Sequence, residues 1–275
     1  MRIALAQVVS GTEPDANLDL VRDRAARARE AGAELAVFPE ATMASFATRS
    51  ADVAQPLDGP WARGLRTIAR ELGIAIVAGM FTPGAEGKAR NTLLVVDAAG
   101  SDLATYDKIH LFDAWGFEES RHVEAGDAPS LISLGGITFG LATCYDIRFP
   151  ELFKHLAHEG AEVVLVPTSW ANGPGKAEQF RALCIARAMD STCFILAPGQ
   201  ADPTSVGEQV RTGSPTGVGH SVVVSPLGEV LAEAGGAPEL VVVDIDPADV
   251  AEARRKLPVL ATSRFAVSLT RSHDP

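Results

Sequence analysis

The chain has 275 residues, of which 47% are hydrophobic and 21% charged, and its 24 Lys and Arg against 35 Asp and Glu give a formal charge of −11 at pH 7. That apolar supply is enough for a large buried core and excludes a disordered chain, while the acidic balance argues against a surface for nucleic acid or anionic membrane. Three cysteines (Cys144, Cys184, Cys193) are too few for a disulfide framework and point to a reducing cytoplasm; only five residues are lysines (Lys88, Lys108, Lys154, Lys176, Lys256), so a buried lysine would need a reason.

Strand and helix patterns alternate along the chain. Residues 1–9 read as a first strand and not as a leader, because the apolar run is short and enters Gly11-Thr12-Glu13-Pro14 with no small-residue cleavage pattern. A helix follows Asn17 and ends at Gly32, and residues 35–38 form the next strand. Trp61, Leu65, Ile68, Ala69 and Leu72 line one helix face that stops at Gly73, where a left-handed cap costs little. Strands at 74–78, 92–96 and 103–106 follow, the last two joined through Ala98-Ala99-Gly100. A hairpin about Gly135-Gly136 joins 131–134 to 137–142 and accounts for the long uncharged stretch at 128–145 without a membrane span.

Further on, helices at 149–158 and 177–189 alternate with strands at 163–166 and 192–196. Strands 222–224 and 229–232 pair through Pro226-Leu227-Gly228, 240–245 is the final strand, and Asp246-Pro247 opens a last helix that ends before Pro258. Segments 82–90 and 201–217, rich in Gly, Pro and small polar residues, read as surface loops. The hairpins make the sheets mixed, the strands number about a dozen, and no linker or repeat marks a boundary, so a single α/β domain over 1–275 is expected.

Several motif searches fail. There is no G-x-S-x-G nucleophile elbow, and Gly173-Pro174-Gly175-Lys176 is followed by Ala177, which rules out a Walker-type phosphate loop. His155 and His158 share a helix face, but no Cys, His or carboxylate pattern completes a metal site. Three residues stand out by position. Cys144 ends the apolar run 137–143 just before a turn into a helix, a strand-end site where α/β folds expose reactive groups; the competing reading is a core-filling thiol, which is kept for Cys184 and Cys193. Glu40 terminates the strand before it, where desolvation strengthens a carboxylate as a base, or else it sits exposed at the strand mouth. Lys108 follows Tyr106-Asp107 among apolar neighbours and is either a buried cation or a surface partner of Asp107.

Taken together, Phe38-Pro39-Glu40, the block Tyr106-Asp107-Lys108-Ile109-His110-Leu111-Phe112, and Cys144-Tyr145-Asp146-Ile147-Arg148-Phe149-Pro150-Glu151-Leu152 resemble the three signature blocks of the carbon–nitrogen hydrolase (nitrilase) superfamily, in the family's order. The similarity extends through Phe117-Glu118-Glu119-Ser120, Val166-Pro167-Thr168-Ser169-Trp170 and Arg187-Ala188-Met189-Asp190, and is strongest to the Nit-like amidases, a subgroup that includes omega-amidase. The resemblance implies a four-layer α-β-β-α sandwich of two mixed sheets with about six strands each, assembled as a homodimer or higher homo-oligomer. It also implies a Glu–Lys–Cys triad at Glu40, Lys108 and Cys144, with Glu119 as a second glutamate, its neighbour Glu118 being the competing assignment.

The chemistry implied is attack of the Cys144 thiol on an amide, with Glu40 as base and Lys108 as oxyanion partner; the Tyr145 backbone N–H is the second oxyanion donor. A thioester forms, ammonia or an amine leaves, and water releases the acid, with no metal or organic cofactor. Cys144-Tyr145-Asp146 departs from the Cys-Trp-Glu of family nitrilases, which favours amides over nitriles. Arg148 either pairs with a substrate carboxylate or forms an internal salt bridge, Trp170 either walls the pocket or packs under the following loop, and residues 43–48 are placed to line the entrance. The expected partner is a small amide. Competing readings are an N-carbamoyl amidohydrolase, a nitrilase, a peroxide-sensing thiol and a non-catalytic metabolite-binding or scaffold protein.

Overall fold

The computed structural model describes residues 1–209 and 215–266. The strands are β1 (Arg2–Gln7), β2 (Leu35–Val37), β3 (Ala75–Pro83), β4 (Ala89–Val96), β5 (Asp102–Asp107), β6 (Val123–Glu124), β7 (Ser130–Leu134), β8 (Ile137–Leu141), β9 (Val163–Leu165), β10 (Phe194–Ala197), β11 (Val222–Val224), β12 (Val230–Glu233) and β13 (Glu239–Asp244). The helices are α1 (Pro14–Glu30), α2 (Ser50–Val53), α3 (Pro60–Leu72), α4 (Pro150–His158), α5 (Lys176–Ser191), α6 (Pro247–Lys256) and α7 (Val259–Thr262).

The strands form two mixed sheets. One runs β13-β1-β2-β3-β4-β5, with β6 added beside β4; the other runs β12-β11-β10-β9-β8-β7. Side-chain alternation explains why they stack. In the first sheet Ile3, Leu5, Leu35, Val37, Ala75, Val77, Leu93 and Val95 point to a shared core with Phe139, Leu141, Val163, Leu165, Phe194, Leu196 and Val223 of the second. The intervening residues of the first sheet, among them Ala4, Ala36, Ile76 and Leu94, meet Val21 and Ala25 of α1 and Trp61, Leu65 and Ile68 of α3. On the second sheet Val164, Ile195 and Val222 meet Phe153 and Leu156 of α4 and Phe180 and Cys184 of α5. Strands apolar on both faces need helices outside, and the result is the expected α-β-β-α layering.

The local expectations hold at most elements, with three corrections. The first helix begins at Pro14, and Asn17 lies inside it, its side chain bonded to the Gly11 backbone and to the Met43 carbonyl. The loop expected at 82–90 is confined to residues 84–88, because its ends belong to β3 and β4, which pair through Thr82–Arg90 and Pro83–Ala89, and the Thr82 and Thr92 hydroxyls bond across them at 2.8 Å. Cys193 immediately precedes its strand, buried in the core with Cys184. Of the loop at 201–217, residues 210–214 lie outside the described residues, and Pro203–Val206 form a 3-10 turn. Gly73 takes the left-handed conformation (φ 62°) foreseen for the end of α3. Among the described residues no helix is long and apolar enough to cross a membrane.

The two sheets are stitched at one end, where Val8, beyond β1, bridges Gln200, beyond β10. Gln200 also donates from Nε2 to the Glu40 carbonyl and to Ser10 Oγ. Beside it, β3 comes so close to the chain after β2 that a Cβ at Gly79 would lie 2.7 Å from the Ala41 nitrogen and 2.9 Å from Glu40 Cα. Gly79→Ala is therefore expected to destabilise the fold by about 1–3 kcal/mol, because backbone, unlike a side-chain end, yields little. Chemical denaturation checks the loss, and thiol-alkylation rates at Cys144 should change with it.

Candidate active site

Four separate chain segments converge at that stitched end. Glu40 follows β2 through Phe38-Pro39; the Phe38 N–H bonds the Val77 carbonyl, which continues the register of β2 on β3 one residue further before the chain turns. Lys108 is the residue after β5, Glu119 opens the 3-10 turn Glu119–Arg121, and Cys144 opens another, Cys144–Arg148, after β8. Cys144 stands in the left-handed region (φ 48°), held by its N–H to the Pro167 carbonyl at 3.0 Å. The left-handed backbone at Cys144 turns the following residues toward α4 within a few positions.

The centre of the site is a buried charge cluster. Lys108 Nζ donates to Glu40 Oε1 at 3.0 Å and to Glu119 Oε2 at 2.9 Å, with side-chain exposures of 2%, 1% and 10% respectively. Burial opposes the Lys108 ammonium most strongly, but the Glu119 and Glu40 carboxylates outweigh it and hold the group well above the ordinary lysine range. Glu40 Oε1 also accepts from Asn91 Nδ2 at 2.8 Å, and its Oε2 accepts from the Ser169 N–H at 2.8 Å. Glu119 accepts from the Phe112 N–H at 2.7 Å and from Asn91 at 3.2 Å. Glu118 is instead exposed and pairs with Arg121, so Glu119 is the neighbour that bonds Lys108.

Cys144 belongs to the same cluster. Its Sγ lies 3.7 Å from the Ser169 carbonyl oxygen. Burial pushes the thiol well up and the Glu40 carboxylate adds to that, while Lys108 pulls the other way by less. The resting sulfur is thus a protonated thiol beside a carboxylate and an ammonium. Such a thiol is activated by proton transfer during attack and does not wait as a free thiolate.

Asp146 ties this turn to the first sheet. It is fully buried and accepts from Tyr106 Oη at 2.7 Å, the His110 N–H at 3.0 Å and the Thr143 N–H at 2.8 Å, with His110 Nδ1 2.7 Å from Oδ1. The His110 ring stacks on Phe149 at 3.7 Å. Arg187 of α5 supports the other end by donating to the Ile147 carbonyl at 2.7 Å.

A cavity of about 500 Å³ opens onto Glu40, Lys108, Glu119 and Cys144. Tyr145, Arg148 and Trp170 all line it, as do Phe46, Ala47 and Thr48 of the segment expected at the entrance; Met43 and Ala44 are buried behind. Among the described residues Arg148 forms no ion pair, so the internal salt bridge is not what holds it; its guanidinium sits 5.0 Å from the Trp170 ring and 5.5 Å from that of Trp115. Trp170 both lines the cavity and packs on Phe180 at 5.2 Å. Among the described residues Lys108 forms no ion pair with Asp107, whose partners are Thr92 and Arg90. Sequence reasoning missed Asn91, Trp115 and Lys176. For Asn91 the available signal was an amide beside the apolar run of β4; the other two lie outside the signature blocks and gave none.

A carbon–nitrogen hydrolase family model matches residues 2–255. The protein is 49% identical to hydrolase Rv0480c of Mycobacterium tuberculosis (strain ATCC 25618 / H37Rv), over 100% of this chain and 99% of the relative. It is 34% identical to the deaminated glutathione amidase of Escherichia coli O157:H7, over 97% and 98% of the two chains. Among solved structures, a glutamate-to-glutamine variant of the amidase from Nesterenkonia sp. AN1, which shows Michael addition of acrylamide at its active-site cysteine, superposes with a TM-score of 0.76 at 34% identity over 94% of this chain and 98% of that one. The chain belongs to the carbon–nitrogen hydrolase family, enzymes that cleave carbon–nitrogen bonds other than peptide bonds.

Two outcomes test the cluster. Lys108→Met leaves two carboxylates buried without their counter-ion and is expected to cost about 3–5 kcal/mol in urea denaturation. The upward shifts of Lys108 and Cys144 mean that the folded cluster keeps protons which the unfolded chain releases near the ordinary values of 9.0 for a thiol and 10.5 for a lysine. Their contribution to stability is complete below those values and lost as pH rises through the folded ones, so the urea midpoint should fall above about pH 9, less steeply in Cys144→Ala.

Proposed function

We propose that this protein is a cysteine-dependent amidase acting on a small, carboxylate-bearing amide and releasing ammonia and a carboxylic acid through a thioester on Cys144. The observation that carries the reading is the Glu40–Lys108–Glu119 cluster buried beside the Cys144 thiol at one end of a cavity of about 500 Å³.

Glu40 is the base. It takes the Cys144 proton as sulfur attacks the amide carbon, and passes it to the departing nitrogen, which leaves as ammonia. Lys108, already held in its charged form, stabilises the oxyanion of the tetrahedral intermediate. The Tyr145 N–H, which has no acceptor within the protein among the described residues, supplies the second donor. Water activated by Glu40 then attacks the thioester, and the acid leaves with the thiol restored. Glu119 and Asn91 keep Lys108 and Glu40 in place while protons move. Arg148, unpaired on the cavity wall, receives the substrate carboxylate.

Cys144→Ala is expected to fold normally and to release no ammonia from any amide that the wild type hydrolyses. Glu40→Gln should lower kcat by at least about a thousandfold, since attack by the Cys144 thiol and hydrolysis of the thioester need the same base. Ammonia release by Cys144→Ala at the wild-type rate would remove the mechanism. Carbon dioxide alongside ammonia would shift the reading to an N-carbamoyl substrate.

A further inference from the structure

Charge pairing around the cavity is uneven. Lys108 lies between two carboxylates, Arg121 pairs with Glu118, and Arg49 lies 3.5 Å from Asp52. Arg148 and Lys176 also line the cavity, and among the described residues neither has a carboxylate partner. Both are placed against one indole: Lys176 Nζ is 3.4 Å from the Trp115 ring centroid and the Arg148 guanidinium 5.5 Å from it. Trp115 itself is 63% exposed in a left-handed backbone (φ 51°) at the cavity rim.

Beyond its contact with the Trp115 ring, Lys176 is badly placed for a cation with no carboxylate partner among the described residues. It is the first residue of the 16-residue helix α5, whose N-terminal end carries the positive pole of the helix dipole. Burial, and then repulsion from Arg148, hold its ammonium below the ordinary lysine range. Three unfavourable terms fall on one of only five lysines in an acidic protein, and a single anion between the two side chains would relieve all of them.

We infer that Lys176 is a specificity-determining residue: together with Arg148, and walled by Trp115, it forms a two-cation seat for a carboxylate at the non-reacting end of the substrate. The inference rests on the amidase reading and adds to it a second cation, Lys176, at the end of the cavity that receives the carboxylate. Arg148 offers the planar fork that matches a carboxylate, and Lys176 adds a compact charge from the other element.

The test has one arm that needs no turnover. Binding of succinate, glutarate and adipate is measured by calorimetry on the wild type, Lys176→Met and Lys176→Arg. The best dicarboxylate should bind Lys176→Met about tenfold more weakly than the wild type, with Lys176→Arg restoring most of the loss, the size expected for one charge-assisted contact. In the second arm, the ratio of kcat/KM for glutaramate to that for the neutral pentanamide should fall about tenfold in Lys176→Met, chiefly through KM, and recover in Lys176→Arg. No dicarboxylate binding by the wild type, or equal binding by Lys176→Met, overturns the seat. An unmoved ratio with both amides hydrolysed overturns it too, and leaves the amidase reading standing. Absence of ammonia from every amide instead sinks the amidase reading, while the calorimetry still decides the seat.

Discussion

Lys108 carries its ammonium at 2% side-chain exposure, and removing such an ion from water costs several kcal/mol unless carboxylates replace the lost hydration. Glu40 and Glu119 do so, and neither comes from the strand that carries Lys108. The pairing therefore fixes the chain after β2, the chain after β5 and the 3-10 turn at Glu119 relative to one another. Asn91 on β4 bonds both carboxylates and completes the tie. Because the cation is needed to keep two acids together, the same contacts that position Glu40 also hold Lys108 charged. Stability and chemistry share one set of hydrogen bonds here, and no member can be lost without exposing another buried charge.

Cys144 arrives from the other sheet, so the site exists only if the sandwich closes in one register. Two devices secure it. Asp146 reaches back to Tyr106 and His110 from the turn that begins with Cys144, and Gln200 reaches the Glu40 carbonyl from beyond β10. The Tyr106–Asp146 and Gln200–Glu40 bonds are buried, where a missing partner costs more than the bond itself contributes, which favours the single closed arrangement. The left-handed backbone at Cys144 is held by that surrounding framework.

Beyond the cluster the cavity changes character. Near Cys144 one ammonium is shared by two carboxylates; toward Trp115 and Trp170 the charges are cationic and lie over aromatic faces, where a guanidinium keeps a weak attraction without losing its capacity for an anion. An overall charge of −11 conceals this, because Coulomb interactions across solvent are screened within about 10 Å while those inside a walled cavity are not.

The layered fold was legible in the sequence wherever a pattern is local. Ile3 and Leu5 alternate with Ala4 and Ala6 because a strand turns successive side chains to opposite faces, and Gly73 marks a helix end because it alone takes φ > 0 without strain. The signature blocks around Glu40, Lys108 and Cys144 were legible for the same reason, each being a short run whose residue types the local turn and the chemistry both demand. The sequence by itself therefore determined the elements, the family and the triad candidates. It drew the loop at 82–90 too wide, because the polar residues flanking the turn at 84–88 still pair across β3 and β4. What only the tertiary structure decided is which distant residues share a site. Asn91, Asp146, Trp115 and Lys176 acquire their roles from strand order and from the closure of one sheet on the other, because contacts between positions tens of residues apart depend on where the strands lie and leave no periodic trace in the chain.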